Sequence, residues 1–407
     1  MSWHSWFIPL LICCNLFLLP YFLLTLISAI AAFFSARKKA CSADHRNRFL
    51  IVIPAHDEEA GVAETVQSCR NVDYPADLFE VLVIADNCND DTAGVASREG
   101  ATVVVRHDLS RKSKGYAIEY LIDQLQKSGQ FDRVDALVVV DADSTVSSDL
   151  LLGCAGAIEA GNDWIQCHYV VSNPGASWRT KLMAYAFSLF NGVGPLGRST
   201  LGLSAGLCGN GMCLTTKGLR RVPWSGFGLV EDFEFSWNVR LAGEKIAFLP
   251  WTTVHGVMLK HGGKAAVAQR GRWEAGRREV ARRMFTPLLR SPRLGTLAKL
   301  AAIIELTMPP MVPLVLCYLC LLAANLLVVA SGGLAAGYSA LLIGFSLLMS
   351  LALVLYGIAP FLVFGLSWDY LLVFFYIPFY AAWKLLSAVQ GKPTHWVRTP
   401  REQAIKP

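Results

Sequence analysis

Two aspartates separated by one residue, Asp141 and Asp143, are the first candidates for chemistry in this sequence. They end an apolar run that begins at Ala136 and is typical of a buried strand. Alternate residues of a strand project to the same side, so both carboxylates could face one site. A hard divalent cation such as Mg²⁺ or Mn²⁺ prefers such oxygens and could neutralise a departing diphosphate. The alternative is a strand-end turn in which an aspartate caps the following helix.

A second acidic pair, Glu231-Asp232, follows a glycine-rich aromatic stretch and precedes an expected helix over Phe233–Leu241. In one interpretation a carboxylate only caps that helix. In the other, a carboxylate is a general base that takes a proton from an acceptor hydroxyl. On this pair alone, the capping interpretation is favoured.

Two basic segments could contact phosphate. Lys114-Gly115 is expected to begin a helix, where a lysine suits an anion, although an exposed lysine would look identical. Gln269-Arg-Gly-Arg-Trp273 is expected to open a basic helix in which Arg272 pairs with phosphate and Trp273 packs against an acceptor sugar. This helix also carries an apolar stripe typical of a helix lying on a membrane surface: Trp273, Val280, Met284 and Leu288.

Short apolar runs predict the strands that must position these residues: Phe49–Pro54, Glu80–Asp86, Ala101–Arg106 and Ala136–Asp141. Amphipathic stretches such as Gly61–Arg70 and Gly115–Lys127 lie between them. This alternation predicts an α/β domain with a mainly parallel sheet covered on both faces. Ligands of such sheets bind beyond the carboxyl ends of the strands, where Asp86 and Asp141 fall.

The composition indicates membrane segments, because 54% of the residues are hydrophobic and only 17% are charged. The run Phe7–Phe34 is long enough to span a bilayer. Its basic residues, Arg37 to Lys39, follow it, which favours an uncleaved anchor with the N-terminus outside over a signal peptide. The last quarter holds three further apolar runs, Met308–Ala330, Gly337–Ile358 and Tyr370–Val389.

The topology of these runs stays open at this point. Three spans would place the tail outside, but its basic residues favour the inside, so one run could be interfacial or re-entrant. The net charge of +6 is concentrated beside the apolar runs, at Arg37 to Lys39 and Arg270 to Arg283. That placement favours membrane lipids over nucleic acid as partners. Cys317 and Cys320 lie in an apolar run without a second pair, which argues against a zinc site.

The order of these motifs resembles membrane-bound family 2 glycosyltransferases, especially the exopolysaccharide branch with cellulose, hyaluronan and chitooligosaccharide synthases. The resemblance covers roughly Phe49 to Arg283 and rests on these segments: Ile51–Glu59, Ala85–Thr92, Lys114–Ala117, Asp141–Asp143, Ser204–Met212, Glu231-Asp232 and the QxxRW motif Gln269–Trp273. Two departures are Asp57, where asparagine is common, and the neighbourhood of His255 and Gly256, where an acidic residue often stands.

The resemblance implies a GT-A domain that inverts the anomeric carbon, takes a nucleoside-diphosphate sugar (a UDP-sugar is the expected donor) and uses Mg²⁺ or Mn²⁺. Asp86 would contact the nucleobase, Glu58 the ribose, and Asp232 would be the base. The full implied donor set is Pro54, Glu58, Asp86, Lys114, Asp141 and Asp143, of which the last two hold the metal. The implied acceptor and diphosphate set is Gly209, Asn210, Glu231, Gln269, Arg272 and Trp273.

The chain is accordingly divided into five segments: a transmembrane anchor (1–36), a cytoplasmic GT-A domain (48–265), an amphipathic interfacial region (266–300), transmembrane segments (301–390) and a basic tail (391–407). We expect a multi-pass protein of the inner or plasma membrane. It would build exopolysaccharide on a lipid-linked or polysaccharide acceptor, with other polysaccharide-assembly proteins as further partners. The alternatives are a single-transfer glycolipid enzyme, a nucleotidyltransferase or pyrophosphatase, and a non-catalytic membrane scaffold.

Overall fold

The structure, a computed structural model, describes residues 4–35, 46–332 and 335–389. The strands are β1 (Phe49–Ala55), β2 (Phe79–Asp86), β3 (Thr102–Arg106), β4 (Ala136–Val139), β5 (Ser144–Val146), β6 (Trp164–Val171), β7 (Met212–Thr215) and β8 (Ala247–Gly256). The α-helices are α1 (His4–Ser35), α2 (Val62–Arg70), α3 (Thr92–Arg98), α4 (Lys114–Lys127), α5 (Leu150–Glu159), α6 (Trp178–Phe187), α7 (Gly194–Thr200), α8 (Thr216–Arg221), α9 (Glu231–Leu241), α10 (Lys264–Arg290), α11 (Thr296–Thr307), α12 (Met311–Ala330), α13 (Ala336–Val363) and α14 (Ile377–Val389).

The strands form one mostly parallel sheet in the order β3-β2-β1-β4-β7-β6-β8-β5. Only β7 and β5 run antiparallel to their neighbours. Ile51, Val83 and Val138 are fully buried because helices cover both faces of the sheet. Burying such a side chain contributes about 1.5–3 kcal/mol. The predicted α/β domain with a mainly parallel sheet is confirmed.

The first four predicted strands are confirmed as β1 to β4, but β4 ends at Val139 rather than at Asp141. Its partner β7 begins only at Met212, after Gly211 with a φ of 72°, so the ladder stops there. Asp141 and Asp143 therefore lie in the turn between β4 and β5. The predicted alternation of the two aspartates along a strand is wrong, although they remain at the carboxyl edge of the sheet.

Helix α4 shows how the sequence places a functional residue at this edge. Ile118, Leu121 and Leu125 recur at helical spacing and are buried in the core against the sheet. The side chain of Ser113 caps the helix by accepting a hydrogen bond from the Tyr116 backbone N–H. Capping and core packing together fix the first helical residue, Lys114, at the carboxyl ends of β1 and β4.

Within the described residues, three helices are long and apolar enough to cross a membrane: Phe7–Ser35, Met311–Ala330 and Ala336–Val363. Asn15 of α1 and Asn325 of α12 exchange hydrogen bonds of 3.1 and 3.2 Å. In model systems such a polar contact contributes about 0.6–2 kcal/mol to helix association in a bilayer. These helices indicate that the protein associates with a membrane.

The predicted apolar run Tyr370–Val389 does not form a comparable helix. It divides into a 3₁₀ segment, Trp368–Tyr376, and the 13-residue helix α14. A helix of that length is too short to cross a bilayer. Of the three C-terminal runs, this one is therefore not a candidate span. The basic residues Arg37 to Lys39 and the tail 391–407 lie outside the described residues.

The sheet domain contacts the first apolar helix directly through α7. Gly197 lies so close to α1 that a β-carbon there would collide with the backbone carbonyl of Ser28. Only glycine allows this approach of two backbones. The next residue, Arg198, is thereby held at the junction of the sheet domain and the apolar helices.

Candidate active site

A continuous cavity of about 2840 Å³ begins at the carboxyl ends of β1, β2 and β4 and ends among the apolar helices. Residues of the sheet edge line one end, and Leu316 of α12 and Leu353 of α13 line the other. Every residue of the predicted donor and acceptor sets except Asn210 lines this cavity. The structure therefore brings together residues that lie far apart in the sequence.

Lys114 is the central cation of the site. Its ammonium donates hydrogen bonds to the Asp141 carboxylate and, at 2.5 Å, to the backbone carbonyl of Gly209. Burial alone would lower the pKa of Lys114, but the carboxylates of Asp141, Glu231 and Asp232 raise it above its usual value. The ammonium is therefore charged, and it offsets part of the negative charge of the three carboxylates.

Asn210 fixes the turn that carries the two aspartates. Its Oδ1 accepts a hydrogen bond of 3.1 Å from the backbone N–H of Asp141, and its Nδ2 donates one of 2.8 Å to Ser144. The side chain is 0% exposed and does not line the cavity. In this structure Asn210 therefore positions Asp141 from behind the cavity wall, and its predicted contact with a ligand stays a prediction.

The carboxylates of Asp141 and Asp143 both raise the pKa of one neighbouring residue, Tyr169. Burial and then these two carboxylates raise the pKa of the Tyr169 hydroxyl well above its usual range. Both carboxylates therefore lie close to the same part of the cavity wall. Two carboxylates beside a space that could hold a diphosphate fit a hard divalent cation, whose preferred ligands are oxygens.

Another group of potential metal ligands was not found from the sequence. Asp57, Cys88 and Asp90 are the one set of three such residues, within the described part of the chain, whose donor atoms all lie within 4.8 Å. They belong to separate loops after β1 and β2, so no local motif joins them. The Asp57 carboxylate accepts a hydrogen bond of 2.6 Å from the Asn89 backbone N–H. We assign no ion to this group.

Glu231 and Asp232 are the first two residues of α9 and lie opposite the glycine-rich segment Ser204–Met212. A β-carbon at Gly209, whose φ is 82°, would lie 3.0 Å from the Asp232 carboxylate. Burial and the charge of Asp232 raise the pKa of Glu231 to about 7, and burial also raises the pKa of Asp232. Adjacent carboxylates in a shielded site do not ionise independently. A carboxyl group that titrates near neutral pH is suited to proton transfer.

The segment Gln269–Trp273 lies within α10, which begins at Lys264, so it does not open the helix as predicted. Burial lowers the pKa of Arg272, while Glu231, Asp232 and Asp141 act in the opposite direction. This places the guanidinium close to the acidic centre. The Arg272 Nε is buried and has no hydrogen-bond partner within the described part of the chain. A buried donor of this kind is available for an anionic ligand.

The apolar stripe of α10 faces protein over much of its length. Val280, Met284 and Leu288 are buried in a cluster with Trp237 of α9 and Leu306 of α11. Trp273 is partly buried against the same cluster and also lines the cavity. Contact between α10 and a membrane surface stays a prediction.

Where the cavity meets β2 and β3, the carboxylate of Asp86 is held by Arg106, a residue that the motifs did not include. The Asp86 carboxylate accepts a hydrogen bond of 2.6 Å from buried Arg106 and one of 3.0 Å from Asn87. Burial raises the pKa of Asp86, and Arg106 opposes that shift. Asp86 and Arg106 are register partners on parallel strands β2 and β3, a signal that strand alignment could have revealed. The predicted nucleobase and ribose contacts of Asp86 and Glu58 stay predictions.

A second charged group lies where the cavity approaches the apolar helices. The Glu305 carboxylate on α11 accepts hydrogen bonds of 2.7 and 3.2 Å from Arg240 and forms a 3.3 Å ion pair with Arg198. Arg277 of α10 also lines this part of the cavity. These residues come from four helices, so no local sequence pattern indicates the group. Of these residues, only Arg277 could have been identified from the sequence, because it follows Trp273 of the QxxRW motif by one helical turn.

Residues 45–276 match the model of a family described as glycosyltransferase like family 2. In fold, the chain is similar to the mannosyltransferase PcManGT from Pyrobaculum calidifontis, solved in complex with GDP-Man and Mn²⁺. The TM-score is 0.52 at 16% identity, covering 86% of this chain and 97% of that chain. This likeness supports the predicted GT-A fold.

Two curated relatives are more similar in sequence. Probable glycosyltransferase YdaM of Bacillus subtilis is 23% identical over 60% of this chain and 58% of its own length. Beta-monoglucosyldiacylglycerol synthase of Trichormus variabilis is 26% identical over 56% of this chain and 48% of its own length. The chain thus spans about half the length of the curated relatives it matches. Since the family model covers more than half of the chain, this protein belongs to the glycosyltransferase like family 2.

Proposed function

We propose that this protein transfers a sugar from a nucleoside-diphosphate sugar to the hydroxyl of a membrane-lipid acceptor, with inversion at the anomeric carbon. The observation that carries the proposal is the continuity of the cavity from the acidic centre to Leu316 and Leu353 of the apolar helices. A water-soluble acceptor would need no apolar extension of this kind. Growth of an exopolysaccharide, which the resemblance also implies, is the alternative that the test below separates.

The sheet edge would bind the donor. Glu58 and Asp86 would hold the nucleoside, and Lys114 and Arg272 would bind the diphosphate. Mg²⁺ or Mn²⁺, held by Asp141 and Asp143, would neutralise the charge of the departing diphosphate. Fixed positive groups at the place where negative charge develops are typically the largest contribution to catalysis.

Asp232 would act as the general base for the acceptor hydroxyl. Its support is its position at the start of α9 beside Gly209, together with its raised pKa. A positioned base contributes typically about 10²–10⁴-fold to the rate. Direct attack by the deprotonated hydroxyl on the side opposite the leaving diphosphate would invert the anomeric carbon.

The proposed topology places the sheet domain in the cytoplasm, at an inner or plasma membrane. One span before the domain and two after it, α12 and α13, would return the chain to the side of the domain. That parity agrees with the basic residues of the tail 391–407, which favour the cytoplasmic side. In the proposed topology, the number of spans and the basic residues of the tail agree.

The test uses the full chain in lipid nanodiscs with radiolabelled nucleotide sugars and Mg²⁺ or Mn²⁺. We expect nucleoside-diphosphate release together with label in the lipid extract, and loss of both in Asp232→Asn. Label in a water-soluble polymer would identify the exopolysaccharide alternative. Nucleotide sugars that bind but are never turned over, or that never bind, would overturn the proposal in favour of a non-catalytic scaffold.

A further inference from the structure

Positive charge exceeds negative charge where the cavity meets the apolar helices. The arginine cluster, as we call it, consists of Arg198, Arg240 and Arg277, with Glu305 between them, and all four residues line the cavity. Glu305 binds Arg240 and Arg198 and can neutralise only one of the three guanidinium groups. A net positive charge in a partly shielded site is unfavourable unless an anion is bound there.

Two of the arginines are already held by protein groups. Arg198 donates hydrogen bonds to the backbone carbonyls of Ser204 and Ala205, besides its ion pair with Glu305. Arg240 is 4% exposed, and its Nε is buried without a hydrogen-bond partner among residues 4–35, 46–332 and 335–389. Both therefore provide fixed positive charge beside the cavity.

Arg277 differs from these two residues. It is exposed, and it forms no hydrogen bond or ion pair with any residue that the structure describes. Its guanidinium lies 4.7 Å from the centre of the Phe233 ring, which sets its direction. Although solvent reaches its side chain, the surrounding protein lowers the pKa of Arg277, and the carboxylates of Glu305 and Asp232 act in the opposite direction. The guanidinium therefore lies within electrostatic reach of both Asp232 and Glu305.

The cavity has an order that matches the parts of one class of molecule. Asp232 belongs to the acidic centre, and Arg277 interacts electrostatically with both Asp232 and Glu305. Glu305 in turn pairs with Arg198 and Arg240, which links the acidic centre to the arginines beside the apolar helices. A β-carbon built at Gly194 would lie 3.3 Å from Arg198 and 3.4 Å from the Tyr356 hydroxyl of α13, so the cluster reaches those helices. A phospholipid whose headgroup ends in a hydroxyl has the same order: hydroxyl, phosphate and apolar chains.

We propose that the acceptor is a phosphate-bearing lipid: Arg277, backed by Arg198 and Arg240, binds its phosphate while its headgroup hydroxyl reaches Asp232. This proposal rests on the proposed lipid glycosyltransferase function and narrows its acceptor class. In the transfer, the hydroxyl oxygen bonds to the anomeric carbon, the bond to the diphosphate breaks, and the hydroxyl proton passes to Asp232. Diacylglycerol, which has a hydroxyl but no phosphate, is the contrasting acceptor.

The experiment measures transfer by the full chain in phosphatidylcholine nanodiscs, with the sugar nucleotide that supports nucleoside-diphosphate release. Phosphatidylglycerol or diacylglycerol is added at equal mole fraction. We expect kcat/KM for phosphatidylglycerol to exceed that for diacylglycerol at least tenfold, which corresponds to about 1.4 kcal/mol. Phosphatidic acid, which carries a phosphate without a headgroup hydroxyl, is expected to compete with phosphatidylglycerol.

Variants test Arg277 directly. Arg277→Gln is expected to raise KM for phosphatidylglycerol about tenfold and to change KM for diacylglycerol much less, and Arg277→Lys is expected to recover part of the loss. Arg290→Gln is the matched control, because Arg290 lies on the same helix and is exposed but does not line the cavity. It is expected to leave both constants unchanged.

Other outcomes overturn the proposal in distinguishable ways. Equal transfer to diacylglycerol and phosphatidylglycerol, unaffected by Arg277→Gln, would remove phosphate recognition and leave lipid glycosylation standing. Inorganic phosphate that competes as well as phosphatidic acid would make free phosphate the ligand and remove the lipid from this site. Label found only in water-soluble carbohydrate would overturn the proposed function itself.

Discussion

The two walls of the cavity satisfy their charged groups in different ways. On the sheet wall, Lys114 binds Asp141 and Arg106 binds Asp86, so opposite charges already face one another before a ligand arrives. On the helical wall, Arg277 forms no hydrogen bond or ion pair with a described residue, and Arg198 and Arg240 share the single carboxylate of Glu305. The cations of the first wall are paired with carboxylates, whereas the second wall holds a cation that no described residue pairs.

This difference indicates how specificity is divided between the walls. A wall whose charges are paired holds its geometry without ligand and can present a preorganised site to the donor. A wall with excess positive charge gains most from an anionic ligand and so discriminates among acceptors by charge. The predictions below test whether the walls act separately, and they run from the largest expected effect to the smallest.

The largest expected effect is that of Asp232→Asn, because Asp232 lies where the two walls meet. Removing a general base should lower kcat about 10²–10⁴-fold and leave nucleotide affinity in place. Turnover and calorimetric nucleotide binding are measured on the same preparation. Asp132→Asn is the control, because Asp132 is exposed and does not line the cavity. Lost nucleotide binding in Asp232→Asn would mean that Asp232 belongs to the donor wall.

Asp143→Ala tests the sheet wall alone. Asp143→Ala should weaken nucleotide binding in the presence of Mn²⁺ about hundredfold, since Asp143 would hold the cation that neutralises the diphosphate. Binding is compared with Mn²⁺, with Mg²⁺ and with chelator. Equal affinity of wild type and variant with both metals would reject Asp143 as a ligand.

Asn210→Ala tests whether Asn210 positions Asp141 on the sheet wall. The variant loses the hydrogen bonds to Asp141 and Ser144, and a displaced turn should weaken the Mn²⁺-dependent part of nucleotide binding about tenfold. A purely structural loss would lower the free energy of unfolding without changing the ratio of affinities with and without Mn²⁺. An unchanged ratio would therefore remove the positioning role.

The smallest expected effect concerns pH and Glu231. Its folded-state pKa, about 7, lies above its ordinary value of 4.5, so its contribution to stability is fully present below about pH 4.5 and is lost as pH rises through about 7. Glu231→Gln should therefore make the decline of stability over this range shallower. Denaturant unfolding without metal or nucleotide measures it. Parallel pH profiles of variant and wild type would show that Glu231 does not titrate there.

The difference between the sheet wall and the helical wall also explains which parts of the structure the sequence predicts well. Strands β1 and β2 are continuous apolar runs because both faces of the sheet are covered, and the carboxyl edge follows from their direction. That was enough to bring Asp86, Lys114 and Asp141 together. The end of β4 was misplaced because Gly211 and β7, which come much later in the chain, decide where its ladder stops.

The helical wall depends on contacts that no local pattern reports. Arg198, Arg240 and Glu305 lie on α7, α9 and α11, and each sequence neighbourhood alone reads as an ordinary amphipathic or apolar helix. Asn210 was assigned to the ligand because its motif adjoins the site, and only the hydrogen-bond pattern shows that it faces the protein. Motif order thus predicts the residues of the sheet wall, and tertiary packing decides those of the helical wall.

The close approach of Gly197 to Ser28 has a further consequence. Because α7 rests directly on α1, the domain with the carboxylates cannot rise from the apolar helices or sink towards them without separating two backbones. The distance between the apolar helices and Asp232 is therefore fixed. Acceptors would be selected by the reach of their headgroups: a hydroxyl set too close to the apolar chains, or too far beyond them, would miss the reacting carbon.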